Sequence, residues 1–227
     1  TAYRILVAST EESLSRDHGD LWDSGRVESS QNLFVDYGGP PLVSRRRYWW
    51  KVCFWNGDGR QSDWSAVHWW EMGLLEPKDY AARWIASSLV GGRDVGVAAP
   101  YMRRTFHLQS RPVQARLYVT ARGIYEFYIN GERVSNDYFN PGWTDYRYRI
   151  MYNAYDITPI LKQGSNGLSA MLGSGWYSDL NIFTAAYVDP YGIKQSLLAK
   201  ILVTFEDGTT QTIVTDGSWK KYDHGPV

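Results

Sequence analysis

Apolar and polar residues alternate with a period of two along most of the chain, which is typical of half-buried β-strands. The clearest examples are the segments RYWWKVCFW, YMRRTFHL and ARLYVTARGIYEFYINGERV. We find no segment in which apolar residues keep the spacing of an amphipathic helix over the length of an ordinary helix. The pattern therefore predicts an all-β chain.

Asn-Gly and Asp-Gly pairs punctuate these strands. They tolerate positive φ and favour tight hairpins, and short strands between such turns are typical of antiparallel sandwiches. The pairs are Asn56-Gly57, Asp58-Gly59, Asn130-Gly131, Asn166-Gly167, Asp207-Gly208 and Asp216-Gly217. We also expect a helical turn that begins at Thr158 and ends at Gly164, with the next strand starting at Leu168.

The first part of the chain, residues 1–76, has RYWWKVCFW as its firmest strand. Alternation divides this strand into two faces, and we predict that the core face is the one carrying Tyr48, Trp50, Val52 and Phe54. Leu42 precedes Tyr48 at a spacing that resembles the tyrosine corner of fibronectin type III domains, in which the Tyr hydroxyl bonds to nearby backbone. Because the segment is short for such a sandwich, we expect a partial fibronectin type III-like sandwich with further strands upstream of Thr1.

Pro77 blocks continuation of a strand, so we place a linker at residues 77–85. Residues 86–227 are predicted to form a second, larger β-sandwich of the jelly-roll-like, galactose-binding-like kind. A domain of about 150 residues buries roughly 70% of the surface of its unfolded chain, so this part is expected to fold by itself.

Aromatic residues make up 15% of the chain, with 11 Trp and 17 Tyr. Such side chains suit sheet faces, the interpretation that we favour, and also binding surfaces with one apolar and one wet side. Lys plus Arg and Asp plus Glu both number 24, which gives zero formal net charge. Neither part of the chain is basic enough to indicate a nucleic acid or a membrane surface as partner.

A single cysteine, Cys53, excludes an internal disulfide. No apolar run approaches the roughly 18 residues of a transmembrane helix. The sequence does not distinguish between the periplasm, the cell exterior and the cytoplasm as the compartment of the protein. The strand pattern already begins at Thr1, so any targeting segment is expected to lie upstream. His18, His68, His107 and His224 lack the spacing of zinc ligands.

Segments in both parts of the chain resemble a known family. RLYVTARGIYEFYINGERVSNDYFNPGWTDYRYRIMYNAYDIT and the following LSAMLGSGWY are similar to the N-terminal β-sandwich domain of bacterial α-L-rhamnosidases, glycoside hydrolase family seventy-eight. WWKVCFWNGDGRQSDWS and WEMGLLEPKDYAARWI resemble the fibronectin-type module that precedes this domain in the family. The resemblance implies a parent enzyme that hydrolyses terminal α-L-rhamnose with inversion of configuration.

An inverting glycosidase needs two carboxyl groups about 6.5–9.5 Å apart, and the resemblance places them in a downstream α/α barrel. This chain has no run of long amphipathic helices for such a barrel. We therefore predict a non-catalytic fragment that frames the barrel and contacts rhamnose-containing glycans. Two other hypotheses stay open: an autonomous carbohydrate-binding module for rhamnosides, assisted by calcium, and an adhesion-type module with a protein partner.

NPGWTDYRYR and the residues just before it form the first candidate site. Amide and carboxylate groups suit the hydroxyls of a sugar, and aromatic rings can cover its C–H face. The candidates are Asn136, Asp137, Asn140, Trp143, Asp145 and Tyr146. Their oxygens could instead hold calcium, which needs about 6–8 oxygen ligands, as some rhamnose-binding domains similar to this one do. The third and plainest interpretation is a packed turn at residues 140–142.

GSGWYSDLN, residues 173–181, is the second candidate site. Its two glycines allow a close approach to the backbone, and Trp176 and Tyr177 are added to the predicted sugar-binding residues. Packing between domains and recognition at the surface are equally compatible with this pattern.

Overall fold

The computed structural model of the protein describes residues 1–90, 98–178 and 191–225. The chain divides into two compact units, Thr1–Asp79 and Tyr80–Val227. Antiparallel sheets dominate both units, and the helices of the described residues are α1 (Glu11–Ser15), α2 (Pro77–Tyr80) and a 3-10 turn at Thr158–Ile160. The prediction of an all-β chain is confirmed.

The first unit contains one four-stranded sheet, in the order β2-β1-β3-β4. Its strands are β1 (Ala2–Ala8), β2 (Trp22–Asp23), β3 (Arg47–Trp55) and β4 (His68–Glu71). β1 pairs with β3 from Ala2 opposite Trp55 to Ala8 opposite Trp49. A single sheet of this kind agrees with the predicted partial sandwich.

The packed core of the first unit lies on one face of this sheet, beneath helix α1. Leu6, Ala8 and Leu14 form its buried cluster, and Trp49 packs against them. Lys51 points to the same side and is buried, with its ammonium group bonded to the carbonyl of Leu14 and to the carboxylate of Asp17. Burial of this charge is tolerated because it is paired.

The predicted core face of β3 is therefore wrong for most of its residues. Tyr48 is buried, but Phe54 is 57% exposed, and Trp50 and Val52 line an apolar groove of about 960 Å³. Alternation separates the two faces of a strand, but it cannot tell which face meets packing partners from elsewhere in the chain.

The predicted tyrosine corner is present. The backbone N–H of Val43 donates a hydrogen bond to the hydroxyl of Tyr48 at 2.8 Å. This bond ties the connection before β3 to the start of the strand and gives the hydroxyl of the buried Tyr48 a partner.

The second unit is a sandwich of two five-stranded antiparallel sheets. The first has the order β10-β7-β12-β13, with β5 also paired to β12, and the second has the order β14-β6-β11-β8-β9. The strands are β5 (Ile85–Ala86), β6 (Tyr101–Leu108), β7 (Gln114–Arg122), β8 (Ile124–Ile129), β9 (Glu132–Arg133), β10 (Asn153–Asp156), β11 (Gly164–Gly173), β12 (Ser196–Thr204), β13 (Thr210–Val214) and β14 (Lys220–Tyr222).

The core of the second unit lies between these two sheets. In β11 alternate residues are buried, namely Leu168, Ala170 and Leu172. They belong to one cluster with buried residues of β7 and β12 in the other sheet, among them Leu117 and Ile201. Two sheets packed through their inner faces match the predicted β-sandwich.

The prediction that Asn-Gly pairs form turns is confirmed at one hairpin and is wrong at another position. Asn130 and Gly131 have φ of 54° and 87° and join β8 to β9, as a two-residue hairpin loop requires. Asn166 and Gly167 instead lie inside β11, which begins at Gly164 and not at Leu168. The Asn-Gly pair is ambiguous because an Asn side chain can also satisfy a neighbouring turn from within a strand.

No helix in the described ranges has both the length and the apolar character needed to cross a membrane.

Candidate functional site

Two connections of the second unit carry the predicted sugar-binding residues. One is the loop between β9 and β10, residues 134–152, and the other is the connection between β11 and β12, of which residues 174–178 and 191–195 are described. The last residues of the second candidate, 179–181, lie outside the described residues. The structure brings the two connections into contact through their aromatic side chains.

Phe139, Trp143 and Trp176 form an aromatic triad at this contact. The rings of Trp143 and Trp176 are parallel within 5°, with centroids 6.1 Å apart, and Phe139 meets Trp176 edge-on at 6.0 Å. Phe139 is 64% and Trp143 is 47% exposed. The triad therefore presents flat apolar surface to solvent, which is the property needed to cover the C–H face of a sugar.

Beneath the loop lies a second aromatic group with a different role. The ring of Tyr146 contacts those of Tyr177 and Tyr191 with centroids 5.4 Å and 5.0 Å apart. Both Tyr146 and Tyr177 are buried, and the hydroxyl of Tyr146 donates to the carbonyl of Gly142 at 3.1 Å. Burial raises the pKa of Tyr146 to about 12, so this phenol stays neutral and supports the loop from inside.

Asp145 is held by its neighbour Arg147. The Nε and Nη2 groups of Arg147 donate to the two carboxylate oxygens of Asp145 at 2.8 Å and 2.6 Å. These bonds hold the pKa of the Asp145 carboxyl below its usual value. Since both oxygens are bonded within the loop, Asp145 forms an ion pair and is a poor acceptor for an incoming sugar hydroxyl.

A polar network holds the start of the same loop. The hydroxyl of Tyr155 donates to Asp137 at 3.1 Å and lies 3.2 Å from the amide nitrogen of Asn140, which donates to it. The carbonyl of Asn140 accepts from the backbone N–H of Tyr125 at 3.0 Å. These contacts fix the loop on the sandwich, and Asn136 is exposed beside them.

The residues do not fit a calcium ion. In the portion of the chain that the structure describes, no group of three or more His, Cys, Asp or Glu side chains is placed to hold a metal. The carboxylates of Asp137 and Asp145 are each engaged by another side chain. Calcium needs about 6–8 oxygens directed at one point, whereas one carboxylate oxygen of Asp137 accepts from Tyr155 and both oxygens of Asp145 accept from Arg147.

A mostly apolar cleft adjoins the triad. It has a volume of about 310 Å³ and is lined mainly by Ile124, Tyr138, Phe139, Met171, Leu172 and Gly173. Ligand sites usually occupy about 300–1,000 Å³, so this cleft matches a small ligand. Tyr138 and Phe139 were missing from the sequence-based candidates, although two consecutive aromatic residues directly before a predicted turn were a usable signal.

Comparison with known proteins points to one family over both units. The model described as "Alpha-L-rhamnosidase N-terminal domain" matches residues 110–227. The model described as "Rha78A-like, N-terminal immunoglobulin domain" matches residues 1–76. The order of the two matches agrees with the resemblance noted in the sequence.

Curated relatives agree with these models. An α-L-rhamnosidase of Formosa agariphila is 38% identical over the full length of this chain, which covers 25% of that relative. An α-L-rhamnosidase of Alteromonas sp. strain LOR is 37% identical, also with 25% of its length covered. The chain thus spans about a quarter of the length of these relatives.

Solved structures support the same assignment. The α-L-rhamnosidase from Dictyoglumus thermophilum superposes with a TM-score of 0.84 at 32% identity, over 98% of this chain and 26% of that chain. The α-L-rhamnosidase from Aspergillus terreus gives a TM-score of 0.81 at 35% identity, over 98% and 25%. With a family model matching more than half of its residues, the chain belongs to the α-L-rhamnosidase N-terminal domain family.

Proposed function

We propose that this chain is the non-catalytic N-terminal portion of an α-L-rhamnosidase whose remaining length hydrolyses terminal α-L-rhamnose with inversion. The observation that carries the proposal is the extent of the matches, which cover all of this chain but only a quarter of the relatives. In this proposal the chain frames the catalytic barrel of the same polypeptide, and residues 1–76, 77–85 and 86–227 serve as first domain, linker and second domain.

The chemistry of the candidate site is consistent with a non-catalytic role. A general acid in a glycosidase works with a raised pKa, in a site where its proton is available to the leaving group. Asp145 shows the opposite behaviour, since Arg147 lowers the pKa of its carboxyl. Asp137 accepts a hydrogen bond from Tyr155 and lies in a loop on the sandwich surface.

The test of this part is the release of nitrophenol from nitrophenyl α-L-rhamnoside by the purified chain. We expect no release above the rate of a buffer blank. Turnover that persists through repurification and disappears in the double variant Asp137→Asn, Asp145→Asn would show that the chain carries its own catalytic groups.

A second function, sugar contact at the aromatic triad, is favoured by a separate observation. Trp143 and Trp176 stack in parallel and remain accessible beside a cleft of about 310 Å³. A pyranose ring placed against Trp143 would bury its apolar C–H face on the exposed indole. This arrangement supports rhamnose-containing glycans as partners.

The triad is tested by calorimetric titration of the chain with a methyl rhamnoside and with rhamnose-terminated oligosaccharides. We expect Trp143→Ala to weaken binding about tenfold, the equivalent of about 1.4 kcal/mol. Tyr148→Ala, a more exposed aromatic residue in the same loop, is the matched control and should bind as the parent does. Binding that depends on added calcium, or that Trp143→Ala leaves unchanged, would contradict the triad as the site.

A further inference from the structure

The outward face of the second sheet of the second unit carries two basic residues in direct register. Lys220 of β14 lies opposite Arg103 of β6, and both are exposed. Two positions along the same pair of strands, Tyr222 lies opposite Tyr101 with ring centroids 6.5 Å apart. Because residues directly opposite each other on paired strands lie on the same face of the sheet, Arg103 and Lys220 point the same way.

This pairing is unfavourable unless something negative lies between the two cations. Side chains directly opposite each other on neighbouring strands have Cβ atoms about 4.5–5.5 Å apart, and like charges there are destabilising. The adjacent basic residues are neutralised, Arg104 by Asp216 at 3.2 Å and Lys221 by Asp223 at 3.1 Å. Within residues 1–90, 98–178 and 191–225, no carboxylate pairs with Arg103 or Lys220.

The two cations stand at the edge of a groove of about 650 Å³ on the sheet. Its lining includes Arg103, Thr105, Gly167, Ser169 and Lys220. Gly167 and Ser169 belong to the central strand β11, opposite Thr105 and Arg103. A Cβ added at Gly167 would meet no atom within 4 Å, so the floor of the groove is open.

We propose that this groove binds the carboxylate of an acidic saccharide, that is, of a chain containing uronic acid residues. Arg103 and Lys220 would share one carboxylate, which a guanidinium binds through two parallel hydrogen bonds. The hydroxyls of Thr105 and Ser169 lie in the same groove and suit sugar hydroxyls. The choice of a saccharide over other anions rests on the proposed function.

The neighbouring acidic side chain on this face is already paired and does not neutralise Arg103 and Lys220. Glu126, the nearest acidic residue of β8, pairs with Arg133 at 2.8 Å and accepts from the hydroxyl of Tyr128 at 2.5 Å. The rings of Tyr101 and Tyr222 lie next to the basic pair and supply aromatic surface beside it. A cationic pair, hydroxyl groups and aromatic rings together match an acidic sugar, because the ring of a uronic acid carries a carboxylate, several hydroxyl groups and an apolar C–H face.

The test is calorimetric titration of the chain with tri-galacturonate and with the same trimer after reduction of its carboxyl groups. We expect binding of the acidic trimer only, weakened by added salt. Arg103→Gln and Lys220→Gln should each weaken it at least tenfold, whereas Arg111→Gln, an exposed arginine in the turn after β6, should not change it. Gly167→Val should block the groove without any change of charge. The backbone at Gly167 has no positive φ that a valine would disfavour.

Three outcomes would overturn the proposal. Equal binding of the acidic and the reduced trimer would show that charge plays no part. Displacement of the trimer by poly-glutamate at equal carboxylate concentration, with Gly167→Val binding as the parent does, would reduce the effect to ion exchange. Unchanged affinity in folded Arg103→Gln and Lys220→Gln variants would place the site elsewhere.

The experiment separates this groove from the aromatic triad. Trp143→Ala is expected to leave binding of tri-galacturonate unchanged, and Arg103→Gln is expected to leave binding of neutral rhamnosides unchanged. Loss of neutral rhamnoside binding in both variants, or of acidic trimer binding in both, would show that the two surfaces are one site.

Discussion

Asn166 accepts a hydrogen bond from the backbone N–H of Lys162 at 3.1 Å and donates to the carbonyl of Lys162 at 2.7 Å. It also accepts from the side-chain amide of Asn130 at 2.9 Å. With 1% of its surface exposed, this single amide closes the turn before β11 and joins it to the β8–β9 hairpin. Buried amides are retained where every polar atom is satisfied.

We expect Asn166→Ala to destabilise the second unit by about 2–3 kcal/mol, because it removes the hydrogen bonds of this buried amide with the backbone of Lys162 and Gly164 and with the side chain of Asn130. The measurement is urea unfolding followed by circular dichroism. Asn136→Ala is the control, since Asn136 is exposed and surface substitutions usually change stability by less than about 0.5 kcal/mol. Equal midpoints for the two variants would contradict this role of Asn166.

One residue of the second unit fixes the point at which the chain passes from one sheet to the other. Gly123 lies between β7 and β8, which belong to different sheets. Its φ is +115°, and a Cβ there would approach the carbonyl oxygen of Gly173 to 2.3 Å, so only glycine fits this crossing.

In the first unit, the short strand β2 is held to β1 by Arg4, which donates to both oxygens of Asp23 at 2.9 Å and 2.6 Å.

The Arg4–Asp23 pair predicts an acid-dependent stability of the first unit. The bonds from Arg4, and after them the one from the backbone N–H of Gly25, lower the pKa of the Asp23 carboxyl in the folded state. A lowered pKa stabilises the fold above the ordinary Asp value, about 3.9, and this contribution is lost as the pH falls through the lowered value. The pair is partly exposed, so its contribution is within about 1 kcal/mol.

Melting temperatures of the parent and Asp23→Asn, measured by calorimetry between pH 7 and pH 2, check this prediction. The variant should melt lower at pH 7, and the difference should disappear towards pH 2. Asp63→Asn, a change at an exposed carboxylate of the same unit, is the control and should follow the parent. A difference that grows as the pH falls would reverse the predicted sign.

The two units differ in how completely they bury their apolar side chains. The second unit has a core to which both of its sheets contribute, and residues such as Leu108, Leu117 and Ile129 are fully buried in it. The first has a small cluster around Leu6 and an apolar groove of about 960 Å³ on the other face of its sheet. Exposed apolar patches of that extent favour association or aggregation in isolated domains.

Residues 80–227 are therefore expected to fold when produced alone, with a β-type circular dichroism spectrum and a cooperative thermal transition. Residues 1–79 alone should bind the dye ANS and associate at micromolar concentration, because their apolar face stays open to water. Size-exclusion chromatography and dye fluorescence measure both. A monomeric, cooperatively melting 1–79 segment, or an unfolded 80–227 segment, would contradict the assignment of the cores.

Local patterns in the sequence account for much of the fold. Alternation predicted the strands, and the Asn130-Gly131 pair predicted its hairpin because both residues accept positive φ. The spacing before Tyr48 predicted a backbone bond that the structure shows at 2.8 Å. Residue type alone identified Trp143, Trp176, Tyr146 and Tyr177 as candidates. The two tryptophans are accessible to solvent, but Tyr146 and Tyr177 are buried.

The strand pattern, most of the turns and the family resemblance thus follow from the sequence by itself, since each depends on residues close together in the chain. Tertiary structure decided which face of β3 meets the core, that Asn166 closes a turn from within a strand, and that Trp143 stacks on Trp176. It also placed Lys220 beside Arg103. These outcomes depend on pairing and packing between distant segments, and periodicity along one strand carries no information about its partner.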